Sequence, residues 1–517
     1  MWVRSELTWP RLAVGLRFLA ALPALLALAA VNYRSPDLPP GPADYSPVPL
    51  HPVPVLDALL QRELERSRRV AGLAAALAAP GLVPPAFPEP VATIALTPRA
   101  TAYTLDELRT LLPAAFGTAD GAVLLLANIE VPAGAQLTVG AATTPQLRML
   151  SSAAGFTTVI ARGGSVELQG SEQTPVHVSS WDPDTGSADV NTNDGRSFLL
   201  TFGGRMDIVH AEIDHLGFGR GSSSGVAWHG SEPIGGDPGM PATGDVRDSV
   251  LHDNWFGAFT FEAAGMVWTR NTFRDNIGYG FDPHDSSNEF VVAGNVAHGN
   301  GRHGFIFSRG CNRNVLRNNV AYDNRGHGFM IDDGRSGESA DPGRPPQPSN
   351  DNILLGNHAY SNDGSGIEVE GGRGTVVDNN RLENNHVGVR VKNDASALVA
   401  GNTIQGSGPA GVDVLAGNGD VHIRDNGITG GWAGVSLTSW SGAALTDNRI
   451  QGTSTPLVVG GDPQRAGGPL NLIGRVLRWN PVLLLWITIL GVPTVLTLRQ
   501  VVRTGRHARR RNLIRLS

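Results

Sequence analysis

Asn295-Val-Ala-His-Gly-Asn300-Gly-Arg-His-Gly304-Phe-Ile-Phe-Ser-Arg309 and Asn319-Val-Ala-Tyr-Asp-Asn324-Arg-Gly-His-Gly328-Phe-Met-Ile-Asp-Asp333 decide the fold. Each stretch opens on an asparagine. It places a second asparagine five positions later and a glycine four positions after that, and then enters a short apolar strand. Working outward, the first asparagine recurs at Asn271, Asn295, Asn319, Asn357, Asn380, Asn402, Asn426 and Asn448, at spacings of 24, 24, 38, 23, 22, 24 and 22. The one long step contains Gly334 to Asn350, a Gly/Pro/Ser-rich insertion of the kind that forms a surface loop. A period of 22–24 residues is too short for a propeller blade, and the leucine framework of leucine-rich repeats is missing. The period suits one coil of a parallel β-helix, with asparagines stacked into hydrogen-bonded ladders and glycines supplying positive φ at the corners.

Composition agrees with a turn-rich all-β chain. Of 517 residues, 65 are Gly and 35 are Pro, and 21 of the 31 asparagines lie between Asn254 and Asn402. Hydrophobic content of 41% is too high for disorder. Dense Gly and Asn exclude a helical bundle. The single cysteine, Cys311, excludes an intramolecular disulfide framework and a cysteine-ligated zinc cluster. A net charge of −6 gives no sign of a nucleic-acid partner. Lys392 is the only lysine, so cationic chemistry rests on arginine and histidine.

The ends read as membrane segments. Phe18 to Val31 is apolar and follows Arg4, Arg11 and Arg17, so 1–33 is a signal anchor or a signal peptide. Residues 34–102 form a Pro-rich stalk with a helix at Val55 to Ala79. Residues 103–122 form a helical cap, because Thr104-Leu-Asp-Glu107 is a capping box with Leu105, Leu108, Leu111 and Leu112 on one face. Residues 123–465 are the β-helix. The uncharged run 480–498 is a transmembrane helix, and 499–517, with seven arginines, is a basic cytoplasmic tail. The expected localisation is the cell membrane, with the β-helix extracytoplasmic. The fold class is all-β: a parallel β-helix solenoid with a small helical N-terminal cap and terminal transmembrane helices.

Equivalent positions of successive coils lie one above another, so the repeat can be read in columns. Counting from each glycine, positions +1 and +3 are apolar and point inward. Positions +2 (Asp282, Ile306, Met330, Glu368) and +4 (His284, Ser308, Asp332, Glu370) then point outward. Position +5 gives Asp285, Arg309 and Asp333, and the position before the glycine gives Tyr279, His303, His327 and Ser365, with Arg302 and Arg325 close by. One face thus collects candidate acids and bases with arginines suited to carboxylates. Asp282, His284 and Asp285 do not make a closed metal-ligand set, so no metal and no cofactor are expected. The other histidines, His229 among them, read as scaffold.

At Tyr279-Gly-Phe-Asp-Pro-His-Asp285, and downstream at His303-Gly-Phe-Ile-Phe-Ser-Arg309, the sequence resembles the mannuronan C5-epimerases. The resemblance runs from about Tyr103 to Asn448 and is closer to the periplasmic branch. It implies a right-handed parallel β-helix, proton removal at C5 of a uronate, and reprotonation from the opposite face. His284 is then the implied base, Tyr279 a candidate acid, Asp282 an orienting group and Arg309 the carboxylate clamp. Asp285, Arg302, His303, Ser308, Arg325, His327 and Asp332 would contact substrate. The implied partners are an anionic polysaccharide and, in a surface pathway, polysaccharide export or assembly proteins. The family's lysine one coil above the base has no counterpart in Gly257 to Glu262. A lyase on the same scaffold and a non-catalytic polysaccharide-binding β-helix are the alternatives.

Overall fold

The computed structural model describes residues 93–460, apart from 219–222, 232–238, 336–344, 394, 416–419 and 439–442. The expected terminal spans, stalk and basic tail lie outside the described residues, as does the last part of 123–465. Among the described residues no helix is long and apolar enough to cross a membrane.

The chain winds through three long sheets, in which every coil adds one strand to each. Pairing between coils is parallel throughout, as in Phe281–His284 on Phe305–Ser308 and Phe305–Ser308 on Phe329–Asp332. The register fixes the columns expected from the sequence. Phe281, Phe305, Phe329, Ile367 and Val389 follow one another in the first sheet and are fully buried. The rings of Phe305 and Phe329 stack at 4.9 Å and 4°. Parallel in-register strands place identical side chains about 4.8 Å apart, the spacing at which aromatic faces meet. A single continuous apolar core therefore runs along the solenoid from Leu96 to Leu437.

Asparagine ladders close two of the corners. From Asn271 to Asn448, each asparagine Nδ2 donates to Oδ1 of the asparagine in the next coil, as Asn295 does to Asn319 and Asn319 to Asn357, both at 3.0 Å. Asn319 Nδ2 also donates to the Val292 carbonyl at 2.9 Å, and its Oδ1 accepts the Asn295 backbone N–H at 2.9 Å. The second column, Asn276 to Asn385, repeats this pattern. Each buried amide is thus satisfied on every side, which is what makes its burial tolerable.

Three expectations need correction. The glycines that open the strands do not carry positive φ. Gly280 and Gly304 are glycine because a Cβ would meet the next coil's carbonyl at 2.5 and 2.8 Å. Positive φ falls on the residue before each ladder asparagine, where glycine supplies it as expected at Gly294 (68°), Gly299 (67°), Gly356 (64°) and Gly401 (64°), and Asn318 (54°), Asp323 (51°) and Asn379 (53°) supply it in other coils. Asn and Asp tolerate that conformation better than other residues with a Cβ. Second, the solenoid starts well before residue 123: Thr93–Ala95 pairs with Asn128–Glu130, and Tyr103–Thr104 pairs with Leu137–Thr138. Third, the helix is shorter than its leucine pattern suggested. It spans Leu105–Leu111, capped by Thr104, and gives way to a 3-10 turn at Pro113–Ala115. Leu105 and Leu108 are buried, whereas Leu111 and Leu112 are 61% and 43% exposed, because Pro113 disfavours helix in the residue before it. Glu107 pairs with Arg99 at 2.6 Å rather than closing the capping box.

Candidate active site

The first sheet presents its outward columns on consecutive strands: Phe256–Phe261, Phe281–His284, Phe305–Ser308, Phe329–Asp332, Ser365–Glu370 and Val387–Lys392. Phe261, His284, Ser308 and Asp332 form one column, and Phe259 and Asp282 open the other. The strand ends where the chain must turn. There Asp285 and Arg309 adopt φ of 36° and 56°, which swings both side chains toward the His284 column.

Asp285 links the central groups. Its Oδ2 lies 2.8 Å from His284 Nδ1 and its Oδ1 3.3 Å from Arg309 Nε. A carboxylate can only accept, so Nδ1 carries the proton and Nε2 keeps its lone pair. Burial pushes the imidazole down, but the Asp285 hydrogen bond and the Asp282 charge outweigh it and raise its pKa above the ordinary histidine value. Asp282 is 2% exposed, and burial pushes its carboxyl up to about 6. His284 keeps 21% of its side chain exposed.

His303 and His327 have the opposite tautomer. The His327 backbone N–H donates to His303 Nδ1 at 2.7 Å, and the Ser365 N–H donates to His327 Nδ1 at 2.8 Å. Both Nδ1 atoms are acceptors, so in the neutral rings the proton sits on Nε2. The Glu368 carboxylate lies 3.3 Å from His327 Nδ1, the atom that accepts the Ser365 N–H in the neutral ring. The rings of Tyr279, His303 and His327 stack at 5.3 and 4.7 Å. Arg302 Nη1 donates to the Tyr279 phenol oxygen at 3.1 Å. A phenolate formed there would face a guanidinium. Phe256 and Phe259 join the two groups as a floor: Phe256 lies 5.0 Å from Tyr279, and Phe259 lies 5.9 Å from His284.

The site residues read from the sequence thus come together around one strand and its two neighbours. Ser308 sits directly beside His284, with its hydroxyl 3.5 Å from Asp332 Oδ2. Arg325 stands at the turn before His327, where its backbone N–H reaches Asn300. Arg309 differs from an open clamp. It is 2% exposed, its Nη2 donates to the Pro345 carbonyl at 3.0 Å, and its Nη1 has no hydrogen-bond partner among the described residues. The returning end of the 334–350 insertion holds it against Asp285. Asp332 and Asp333 converge with Glu370, their oxygens within 4.8 Å of one another. Arg335 and Lys392 lie 3.0 and 3.1 Å from the Asp333 and Glu370 carboxylates.

His229 was read as scaffold. The structure places it in the His284 column, between Phe202 and Phe261. Burial pushes it down to about 3, so it is a neutral ring there. A register shift between Gly225 and Ala227 breaks the coil count that would have revealed it.

Fold and site together define a parallel β-helix whose first sheet bears a carboxylate-bonded histidine, a tyrosine and arginines on adjacent coils. The model of a right handed beta helix region matches residues 222–340 and 347–464. A mannuronan C5-epimerase of Pseudomonas putida is 35% identical over 142 residues, 26% of this chain and 27% of that protein. Its counterpart in Pseudomonas aeruginosa is 36% identical over 122 residues, 23% and 22% of the two chains. That of Azotobacter vinelandii is 47% identical over 68 residues, 13% of each. The chain thus aligns with about a quarter or less of the length of these relatives. The solved structure of a periplasmic alginate epimerase superposes with a TM-score of 0.59 at 20% identity, covering 69% of this chain and 85% of that one, a likeness of fold. The chain thus shares the right-handed parallel β-helix fold and, over about a quarter of its length or less, is similar in sequence to mannuronan C5-epimerases.

Proposed function

We propose that the protein is an isomerase acting at C5 of uronate residues within an anionic polysaccharide, a change of the mannuronate-to-guluronate kind. His284 Nε2 takes the C5 proton, and the electron pair left at C5 spreads into the adjacent carboxylate. Arginine donors meet that developing charge. The Tyr279 hydroxyl returns a proton to the opposite face of C5, and its phenolate is met by Arg302 until solvent restores the proton. Asp285 keeps His284 in the Nδ1–H tautomer; Asp282 adds negative charge that favours the imidazolium formed on proton transfer. The observation that carries this reading is the opposed tautomers: His284 alone of the three clustered imidazoles offers a free Nε2 lone pair.

The same carbanion could instead expel the 4-O-linked sugar, which would make the protein a lyase. Incubating the full chain with polymannuronate and other uronate polymers in deuterated water separates the outcomes. Deuterium at C5 by NMR without unsaturated ends is the expected result. Unsaturated ends, read by ultraviolet absorbance, would make it a lyase, and neither product would refute catalysis. We also propose that the protein is anchored in the cell membrane with its β-helix extracytoplasmic and its tail cytoplasmic, near polysaccharide export or assembly proteins. The uncharged run at 480–498 before an arginine-rich tail supports this. A reporter fused after Ser517 should be accessible from the cytoplasm, and protection would contradict it.

A further inference from the structure

Just before the strands that carry the site, one corner column runs Trp255, Gly278, Arg302, Gly326 and Gly364. Each backbone N–H donates to the carbonyl of the residue before it in the column, at 2.7–3.0 Å. The residue that follows in the chain carries a ring in four of these coils: Phe256, Tyr279, His303 and His327. Three of the four rings lie under a glycine. A Cβ at Gly278 would meet Phe256 Cε1 at 2.3 Å, one at Gly326 would meet His303 Nδ1 at 2.2 Å, and one at Gly364 would meet His327 Nδ1 at 2.6 Å. None of these glycines has a positive φ, so the close approach to a ring, not the turn, requires them. The fourth ring, Tyr279, lies under Arg302, whose guanidinium sits 5.3 Å from the ring centroid and donates to the phenol oxygen at 3.1 Å.

A backbone lying flat on a ring brings the next N–H to that ring's Nδ1. The His327 N–H reaches His303 and the Ser365 N–H reaches His327 in this way, at 2.7 and 2.8 Å. The rings are thereby fixed as a stack, with Tyr279 held between Phe256 at 5.0 Å and His303 at 5.3 Å, and His327 at 4.7 Å behind His303. His303 is fully buried, so it acts on its neighbours rather than on substrate. We infer that Gly326 and Gly364 are positioning residues for the acid of the reaction: through His303 and His327 they aim the Tyr279 hydroxyl. This rests on the epimerase reading, in which His284 removes the C5 proton and Tyr279 returns one to the opposite face. A Cβ at position 326 would push His303 off its hydrogen bond and tilt Tyr279. His284 is held separately, by Asp285 at 2.8 Å, so proton removal would continue. The electron pair at C5 would then take a proton back from the His284 imidazolium on the original face. In deuterated water, where that imidazolium exchanges with solvent, C5 would gain deuterium without inversion.

The test incubates the full chain with polymannuronate in deuterated water and reads guluronate and C5-deuterated mannuronate separately by NMR. In the wild type most of the deuterium is expected in guluronate. In Gly326→Ala the ratio of guluronate to deuterated mannuronate should fall at least about tenfold, the lower end of what a well-placed general acid contributes, with KM little changed. Gly364→Ala, which reaches Tyr279 through two rings, should show a smaller fall in the same direction. Gly411→Ala controls for crowding alone: its Cβ would meet Ile428 Cγ2 at 2.4 Å, farther along the first sheet, and the ratio should stay at the wild-type value. Should Gly326→Ala lose the circular dichroism of the wild type, Gly364→Ala decides by the same ratio. A ratio unchanged in these variants, or guluronate and C5 exchange falling together, overturns the inference and leaves the epimerase reading standing. No C5 deuterium in the wild type overturns both.

Discussion

From Asn271 to Asn448 the coils of this solenoid carry two regions built on opposite rules. At the ladder corner, Asn295, Asn319 and Asn357 repeat one residue with one set of bonds. On the outward face of the first sheet, the same coils place His284, Ser308 and Asp332 in succession, no two alike. The difference teaches where stability and chemistry reside. A buried amide that bonds to its own copy above and below gains from repetition, and any departure leaves a polar group unpaired. An outward position gains nothing from repetition, so it is free to carry an acid in one coil and a base in the next.

The comparison can be broken most sharply at Asp285. Asp285→Asn should lower kcat by about a hundredfold, since it removes the group that fixes the His284 tautomer. It should also move the acid limb of the pH–rate profile to lower pH, because the Asp285 hydrogen bond helps to raise the His284 pKa. An unchanged limb would show that Asp285 serves the fold rather than the histidine.

The wild-type profile is the next largest effect. The base must be neutral to accept the C5 proton, and its folded-state pKa lies above 6.5. Below that pKa, kcat/KM should fall about tenfold per pH unit. The stability contribution of His284 runs the other way: it is fully present below about pH 6.5 and is lost as pH rises through the folded value. Activity that stayed flat from pH 8 to pH 5 would exclude a histidine base.

Within the repeated region, Asn319→Ala should cost about 1–3 kcal/mol for each group it leaves unpaired. The Val292 carbonyl and the amides of Asn295 and Asn357 would all lose a partner. Denaturant midpoints should show a larger loss for Asn319→Ala than for Asn448→Ala, which lies at the ladder's end and has no asparagine beyond it among the described residues. Equal losses would mean that the ladder is not cooperative. Smallest of all should be Arg313→Ala. Its pair with Glu289, at 2.7 Å, is 58% exposed on both sides, and the effect should stay below about 0.5 kcal/mol.

Much of this was legible in the sequence because period and parity are properties of the chain itself. The asparagine spacing gives the coil, and the alternation after Gly304 and Gly328 gives the inward phenylalanines and the outward Ser308 and Asp332. What stayed hidden depends on contacts between coils. The tautomers of His303 and His327 follow from the backbone N–H of the next coil that meets Nδ1, which no single coil encodes. Gly280 looks like a turn residue in sequence, yet it answers to the Gly304 carbonyl passing over it. Thr93–Ala95 is three residues long and lies between Pro90 and Pro98, too short for alternation to register. Arg309 reads as a free clamp until the far end of a long insertion brings the Pro345 carbonyl to it.

His284 and His298 offer the most direct test, because one turn of the chain carries both. His284 points outward from the first sheet; His298 points outward from the third and stacks on Tyr322 at 4.6 Å. C5 deuterium incorporation in deuterated water should be abolished by His284→Ala and left at the wild-type rate by His298→Ala, with unchanged circular dichroism for both. Wild-type exchange in His284→Ala, or equal losses in the two variants, would contradict the account.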